Sequence, residues 1–204
     1  MKKPCYMIAL FAFIITNIVS CKKENSTPTI TNTETPMQTT IAQQLVVDTV
    51  SVFNNGNWEM GQKLYFSKNG YVNKLGCKMP NTGQFRVCFW DYNTSNIIAA
   101  TIIDVTDSTK FFYNSVSPIT ITANMRYVVS VNNTSNSTAK DYFIYYKKTN
   151  FAFPTSIYPF TTGSVTYESR LELNTATSTF PNITTSLQHV IVGIADLEFK
   201  PIEQ

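Results

Sequence analysis

One histidine and four cysteines in 204 residues are too few for most multi-ligand zinc designs. An excess of one charge is missing too. Sixteen Lys and Arg stand against thirteen Asp and Glu, and Lys2 and Lys3 fall in a segment expected to be removed, which leaves fourteen against thirteen, or +1. That balance excludes a basic nucleic-acid binder. No apolar run reaches the roughly 20 residues that a bilayer-spanning helix needs. No Gly-x-Ser-x-Gly elbow, full calcium loop or internal repeat is present, and no stretch keeps a convincing helical period. What remains is ordinary globular material. With 43% hydrophobic residues it is not a wholly disordered chain, and its length fits one domain plus a tail.

The first residues carry the clearest signal. Behind Lys2 and Lys3, residues 6–19 (YMIALFAFIITNIV) form an apolar run broken only by Thr16 and Asn17. Too short for a stable span, it suits the hydrophobic part of a secretory signal peptide over residues 1–20. Ile18-Val19-Ser20-Cys21 resembles a bacterial lipobox: a bulky aliphatic residue, then a small one just before Cys. Val19 is larger than usual at its place. The resemblance implies that Cys21 becomes the lipidated (palmitate-bearing) N-terminus, where several acyl chains would give a near-permanent membrane anchor. The following Lys22-Lys23-Glu24 is similar to the start of lipoproteins of the Bacteroidetes and implies an outer-membrane lipoprotein, on either face. An ordinary cleaved signal with an incidental Cys is the alternative.

Residues 21–43 are rich in Thr, Ser, Asn and Pro and keep neither a period of 2 nor one of 3.6, which predicts a flexible linker. Residues 44–204 predict an all-β domain, an antiparallel two-sheet sandwich of the jelly-roll or immunoglobulin-like kind. Candidate strands cover residues 45–53, 62–67, 70–79, 84–91, 96–104, 110–113, 119–122, 126–132, 141–147, 164–173 and 190–200. Turn residues separate them at Asn54-Asn55-Gly56, Asn69-Gly70, Pro80-Asn81-Thr82-Gly83, Asn132-Asn133-Thr134 and Thr162-Gly163. Val46, Phe53, Leu64, Phe66, Val87, Phe89, Val129 and Val131 are expected to face inward.

Several stretches, in order, carry a family resemblance. They are Asn57-Trp58-Glu59-Met60-Gly61 with Lys63-Leu64-Tyr65-Phe66, residues 70–78 (GYVNKLGCK), Phe89-Trp90-Asp91, Ile97-Ile98-Ala99-Ala100, residues 116–123 (VSPITITA), residues 126–131 (RYVVSV) and residues 193–199 (GIADLEF). The chain resembles the family catalogued as domain of unknown function 4082 over most of residues 45–200, least over 141–179. The resemblance implies a β-sandwich of extracellular bacterial proteins, often found beside carbohydrate-active or adhesive parts. It implies no activity.

Residues able to do chemistry are sparse. His189, with Ser186 three residues before it, is the one candidate base of a Ser-His-Asp site, and a loop or strand-edge His is the plainer expectation. Glu168 and Glu172 on one strand would share a face about 13 Å apart, too far for a glycosidase pair. Asp104 and Asp107 flank a turn, where Asp bonds its own backbone. Cys77 and Cys88 either form a disulfide, if Thr82-Gly83 centres a hairpin that sets them opposite, or remain two separate thiols, because their strand parities put them on different faces. Aromatic residues are plentiful, with 2 Trp, 11 Tyr and 14 Phe. Tyr92, Tyr142, Tyr146 and Tyr158 sit where alternation or loops can expose them, and exposed Tyr rings can hold a sugar. The expectation is therefore a non-catalytic envelope module, without metal or cofactor, whose partners are the membrane through Cys21 and a polysaccharide. A structural or adhesive domain binding an envelope protein is the second expectation, and a hydrolase the third.

Overall fold

The computed structural model describes residues 32–150 and 152–203. The expected signal peptide, Cys21 and the first part of the expected linker lie outside the described residues. Among the described residues, one α-helix, α1 (Pro36–Ala42), precedes fifteen strands, with a single 3-10 turn at Lys148–Asn150. The first seven are β1 Thr49–Phe53, β2 Trp58–Phe66, β3 Gly70–Lys78, β4 Gly83–Asp91, β5 Ile97–Val105, β6 Phe112–Ile121 and β7 Arg126–Asn132. A short pair follows, β8 Thr134–Ser135 and β9 Thr138–Ala139, and then β10 Tyr142–Tyr146, β11 Phe160–Thr162 and β12 Val165–Asn174. The last are β13 Ile183–Thr184, β14 Val190–Val192 and β15 Ile194–Pro201.

These strands make an antiparallel β-sandwich. The large sheet runs β11-β12-β2-β7-β4-β5, with β13 added on β12. Against it pack two three-stranded sheets, β15-β3-β6 and β1-β10-β14. Alternation decides what lies between the layers: Met60, Leu64 and Phe66 of β2, Phe85, Val87 and Phe89 of β4, and Tyr127, Val129 and Val131 of β7. They meet Val72, Leu75, Leu197 and Phe199 of the facing sheet, and the Phe66 and Phe199 rings lie 4.5 Å apart across the gap. Each such side chain contributes about 1.5–3 kcal/mol by leaving water. Of the residues expected inward, Val46 is only partly buried and Phe53 is 49% exposed. Phe53 ends an edge strand that has no layer over its tip.

Three expectations need correction, and one open alternative is decided. The linker does not run free to residue 43. Glu34 pairs with Phe199 through two backbone hydrogen bonds of 2.8 and 2.9 Å, and Met37 and Thr40 of α1 are fully buried. Asp196 accepts hydrogen bonds from the N–H groups of Met37 (3.0 Å) and Gln38 (2.9 Å) and from the Tyr113 hydroxyl (2.7 Å). A buried carboxylate thus holds the start of α1, which a composition count cannot reveal.

Second, of the two alternatives for the thiols the fold takes the separate pair on different faces, because β3 and β4 are not the hairpin that a disulfide needs. Pro80 to Thr82 carries the chain from one layer to the other, so Cys77 lies in the main core and Cys88 on the outer face of the large sheet with Trp90, Val128 and Leu171. Both thiols are free and buried, and no disulfide joins them.

Third, residues 110–113 and 119–122 belong to one strand, β6. Pro118 fits there because β6 is an edge strand and its register slips between Ser115 and Ile119. Fourth, the expected last strand is split at Gly193. With φ at +64°, Gly193 turns the chain from β14 in one small sheet to β15 in the other. A Cβ there would stand 2.2 Å from Met60 Cβ, so only glycine fits.

Candidate functional site

Where β1, β10 and β14 lean on the ends of β2 and β12, the layers leave a cleft of about 340 Å³. At ~30 Å³ per water this is room for about eleven waters, within the range of small-ligand sites. One wall is Phe53, Tyr142, Ile144, Val190 and Val192, and the other is Trp58, Met60, Arg170 and Glu172. Asn55, Leu187 and His189 complete the lining.

Each functional side chain is positioned by local structure. Asn54-Asn55-Gly56 turns between β1 and β2, with Gly56 at φ +128°. The turn aims Asn55 Oδ1 at two donors, Trp58 Nε1 (2.7 Å) and the Tyr142 hydroxyl (2.8 Å). One amide oxygen therefore locks an indole and a phenol from opposite walls. Trp58 N donates to Asn133 Oδ1 at 2.7 Å, which fixes the start of β2. Tyr142 is largely buried and its hydroxyl titrates above the usual range, chiefly through lost solvation.

The polar floor comes from β12. Arg170 Nη2 pairs with Glu172 Oε2, and both side chains are mostly buried. Arg170 Nε is buried with no acceptor. Gln188 imitates a strand beside it: Gln188 Oε1 accepts from Arg170 N (3.0 Å) and Gln188 Nε2 donates to Arg170 O (3.2 Å). That pairing brings Leu187 and His189 to the rim.

The four candidate tyrosines do not come together. Tyr142 alone lines the cleft. Tyr158 is buried in the core, its hydroxyl bonded to Gln62 Oε1 and its ring against Phe160. A loop position beside Pro159 suggests exposure, but the loop folds inward to satisfy Gln62. Tyr92 lies on the outer face of the large sheet, beside Phe180, and the Lys63 ammonium sits 4.0 Å over its ring. Tyr146 is on β10, 3.3 Å from Ser51 Oγ. Among the described residues these four tyrosines therefore scatter rather than form one platform.

The acidic pairs separate as well. The register of β12 slips between Tyr167 and Ser169, which puts Glu168 on the outer face with Lys63 and Arg126 and Glu172 on the inner face. The shared face expected for them is corrected by this bulge. Asp107 accepts from Thr109 N (2.8 Å) and Oγ1 (2.6 Å) and is held at about 2 by those bonds and by Lys110, as its turn suggests. Asp104 faces Gln84 across the β4–β5 ladder. Ser186 is exposed and does not line the cleft. Trp58 and Asn55 were not singled out as ligand residues by alternation or loop position. The Asn-Asn-Gly turn just before a Trp was the signal available.

No protein-family profile matches the chain. No curated protein matches it either. Among the described residues, no helix is long and apolar enough to cross a membrane.

Proposed function

We propose that this chain is a lipid-anchored, non-catalytic binding module of the cell envelope. Acyl chains on Cys21 hold it in the outer membrane, and the cleft takes the end of a glycan. The observation that carries the ligand class is the pair of rings, Trp58 and Tyr142, pinned to one Asn55 oxygen beside the Arg170–Glu172 ion pair. Pinned rings present apolar faces to a sugar at little entropic cost, while Glu172 accepts and Arg170 donates to hydroxyls. Arg170 keeps one unmatched donor. Glu172, the carboxylate of the lining, is engaged by Arg170.

Screening the chain on a glycan array and on insoluble polysaccharides tests this. Trp58→Ala should weaken binding tenfold or more, a loss of about 1.4 kcal/mol. Equal binding by the variant, or no saccharide bound at all, refutes it. Mass analysis of the mature chain tests the anchor, with an acylated Cys21 expected at the N-terminus.

A protein partner is the second reading, and β1 favours it. This edge strand carries no charge and no proline, and Val50 and Val52 are each about half exposed. Cross-linking from β1 to one envelope protein, with saccharide screens empty, would replace the first reading with this one.

A further inference from the structure

Residues 175–182, between β12 and β13, lie as a strap over the outer face of the large sheet. Phe180 meets the Trp90 ring edge-on at 5.7 Å, and Arg86 Nη1 donates to Ser178 Oγ at 2.8 Å. Pro181 rests over Gly61, where a Cβ would come within 3.0 Å of it. Asn132 Nδ2 donates to Thr175 O (3.2 Å) and Thr177 O (3.3 Å) and also to Glu59 Oε2 (3.1 Å). It has two hydrogens for these three acceptors.

Glu59 is completely buried beneath the strap. Its Oε1 accepts from Ser130 Oγ, which accepts in turn from Trp90 Nε1. Among the groups that face Glu59, β7 supplies Ser130 and Asn132, and β12 supplies Leu171 and Leu173 on the same face. The strap adds only neutral residues. From β4 come Cys88 and Arg86, and Arg86 is the one cation that eases its charge, without a hydrogen bond to it. Lost solvation outweighs the two hydrogen bonds and pushes this carboxyl up to about 7.

The strap also touches the cleft through the chain. It begins just after Glu172, and beyond β13 it leads to Leu187 and His189 on the rim. Glu59 itself stands between Trp58 and Met60, whose side chains point the other way, into the cleft.

We propose that residues 175–182 are a proton-controlled strap: protonated Glu59 keeps it seated and the cleft rim formed, and ionised Glu59 lifts it and loosens the rim. Its effect on ligand rests on the cleft being the binding site, but the movement does not. Lifting lets water reach the carboxylate. A carboxyl that titrates at about 7 under the strap and at the ordinary 4.5 in water makes opening about tenfold more frequent at pH 8 than at pH 6.

Cys88 reports the movement, since it is buried with Trp90 and Phe180 under the strap, and Cys77 in the main core is an internal reference. Maleimide labelling of the whole chain in detergent, read peptide by peptide and divided by the glutathione rate at each pH, is the assay. Cys88 labelling should rise about tenfold from pH 6 to pH 8, with Cys77 unchanged. Glu59→Gln should stay at the low value, because its amide can donate to Ser130 Oγ and its oxygen can accept from Asn132. Gly61→Val, which wedges Pro181 upward, should label fast at both pH values. A flat Cys88 ratio in the wild type, or an undiminished rise in Glu59→Gln, overturns the proposal. A saccharide that binds while Cys88 stays flat would sink the strap and keep the glycan reading. A moving strap with no saccharide bound would do the reverse.

Discussion

Met37 separates a docked segment from a free linker. Its side chain is completely buried, on a helix whose first N–H groups are held by Asp196. Met37→Ala removes three heavy atoms beyond Cβ, worth about 0.8 kcal/mol each by transfer, and leaves a void. The expected loss is 2–4 kcal/mol, near the range of about 2–5 for buried Met→Ala changes. The segment has an escape: it can undock rather than keep the cavity, so its own docking energy caps the loss. Urea unfolding reads this directly. With a slope near 2 kcal/mol per molar, the midpoint should drop by about 1–2 M. Thr33→Ala, at an exposed position just before the segment, should stay within about 0.5 kcal/mol. If Met37→Ala also stays within that limit, residues 34–43 are a linker after all and the docking described above is wrong.

Stability should fall as pH rises from about 4 to about 7. Asp196 is pushed up to about 6 and Glu59 to about 7, each mainly by burial. The folded chain then binds protons that the unfolded chain has already released, and the stabilising effect of protonation is lost as pH climbs through that window. At 1.36 kcal/mol per pH unit each group contributes up to about 3 kcal/mol. Asp107, held at about 2, acts only below that window. Urea midpoints should be lower at pH 8 than at pH 4.5, and an equal or higher midpoint at pH 8 contradicts the assignment. Gly193→Ala should cost more than about 3 kcal/mol or prevent folding, since it combines a positive φ with a Met60 clash; a thermal melt near wild type would count against it. Denatured without reductant, the chain should show Cys77 and Cys88 as two reactive thiols, and a protected pair would mean a disulfide the fold does not hold.

Much of the architecture is legible in the chain. Residues 70–79, 84–91 and 126–132 are strands almost to the residue, because period-2 alternation and the turns at Asn69-Gly70 and Asn132-Asn133 are local signals. The cleft is far less legible. Its residues come from four separate stretches, 53–60, 142–144, 170–172 and 187–192; only Tyr142 among them stands out in sequence as a ligand candidate, and Phe53 reads there as an ordinary member of an alternating strand. The β12 bulge at Glu168 changes parity in mid-strand, so Glu172 moves to the cleft face against the pattern. Tyr158 misleads in the opposite sense: its loop looks polar and exposed, yet Gln62 draws it into the core.

Alternation and turn chemistry decided that this chain makes β-strands, roughly where they start and stop, and which side chains prefer an interior. They could not decide which layer each strand joins, since sheet membership depends on partners tens of residues away. Crossing at Pro80 instead of turning back separated the two thiols, and the bend at Gly193 made one strand into two. Only the assembled layers could bury Glu59 as well: its neighbours in sequence leave it solvent-facing, and the strap that covers it arrives more than a hundred residues later. Desolvation is a property of everything that surrounds a group, so a carboxyl able to titrate near neutrality was written by the fold and not by its own segment.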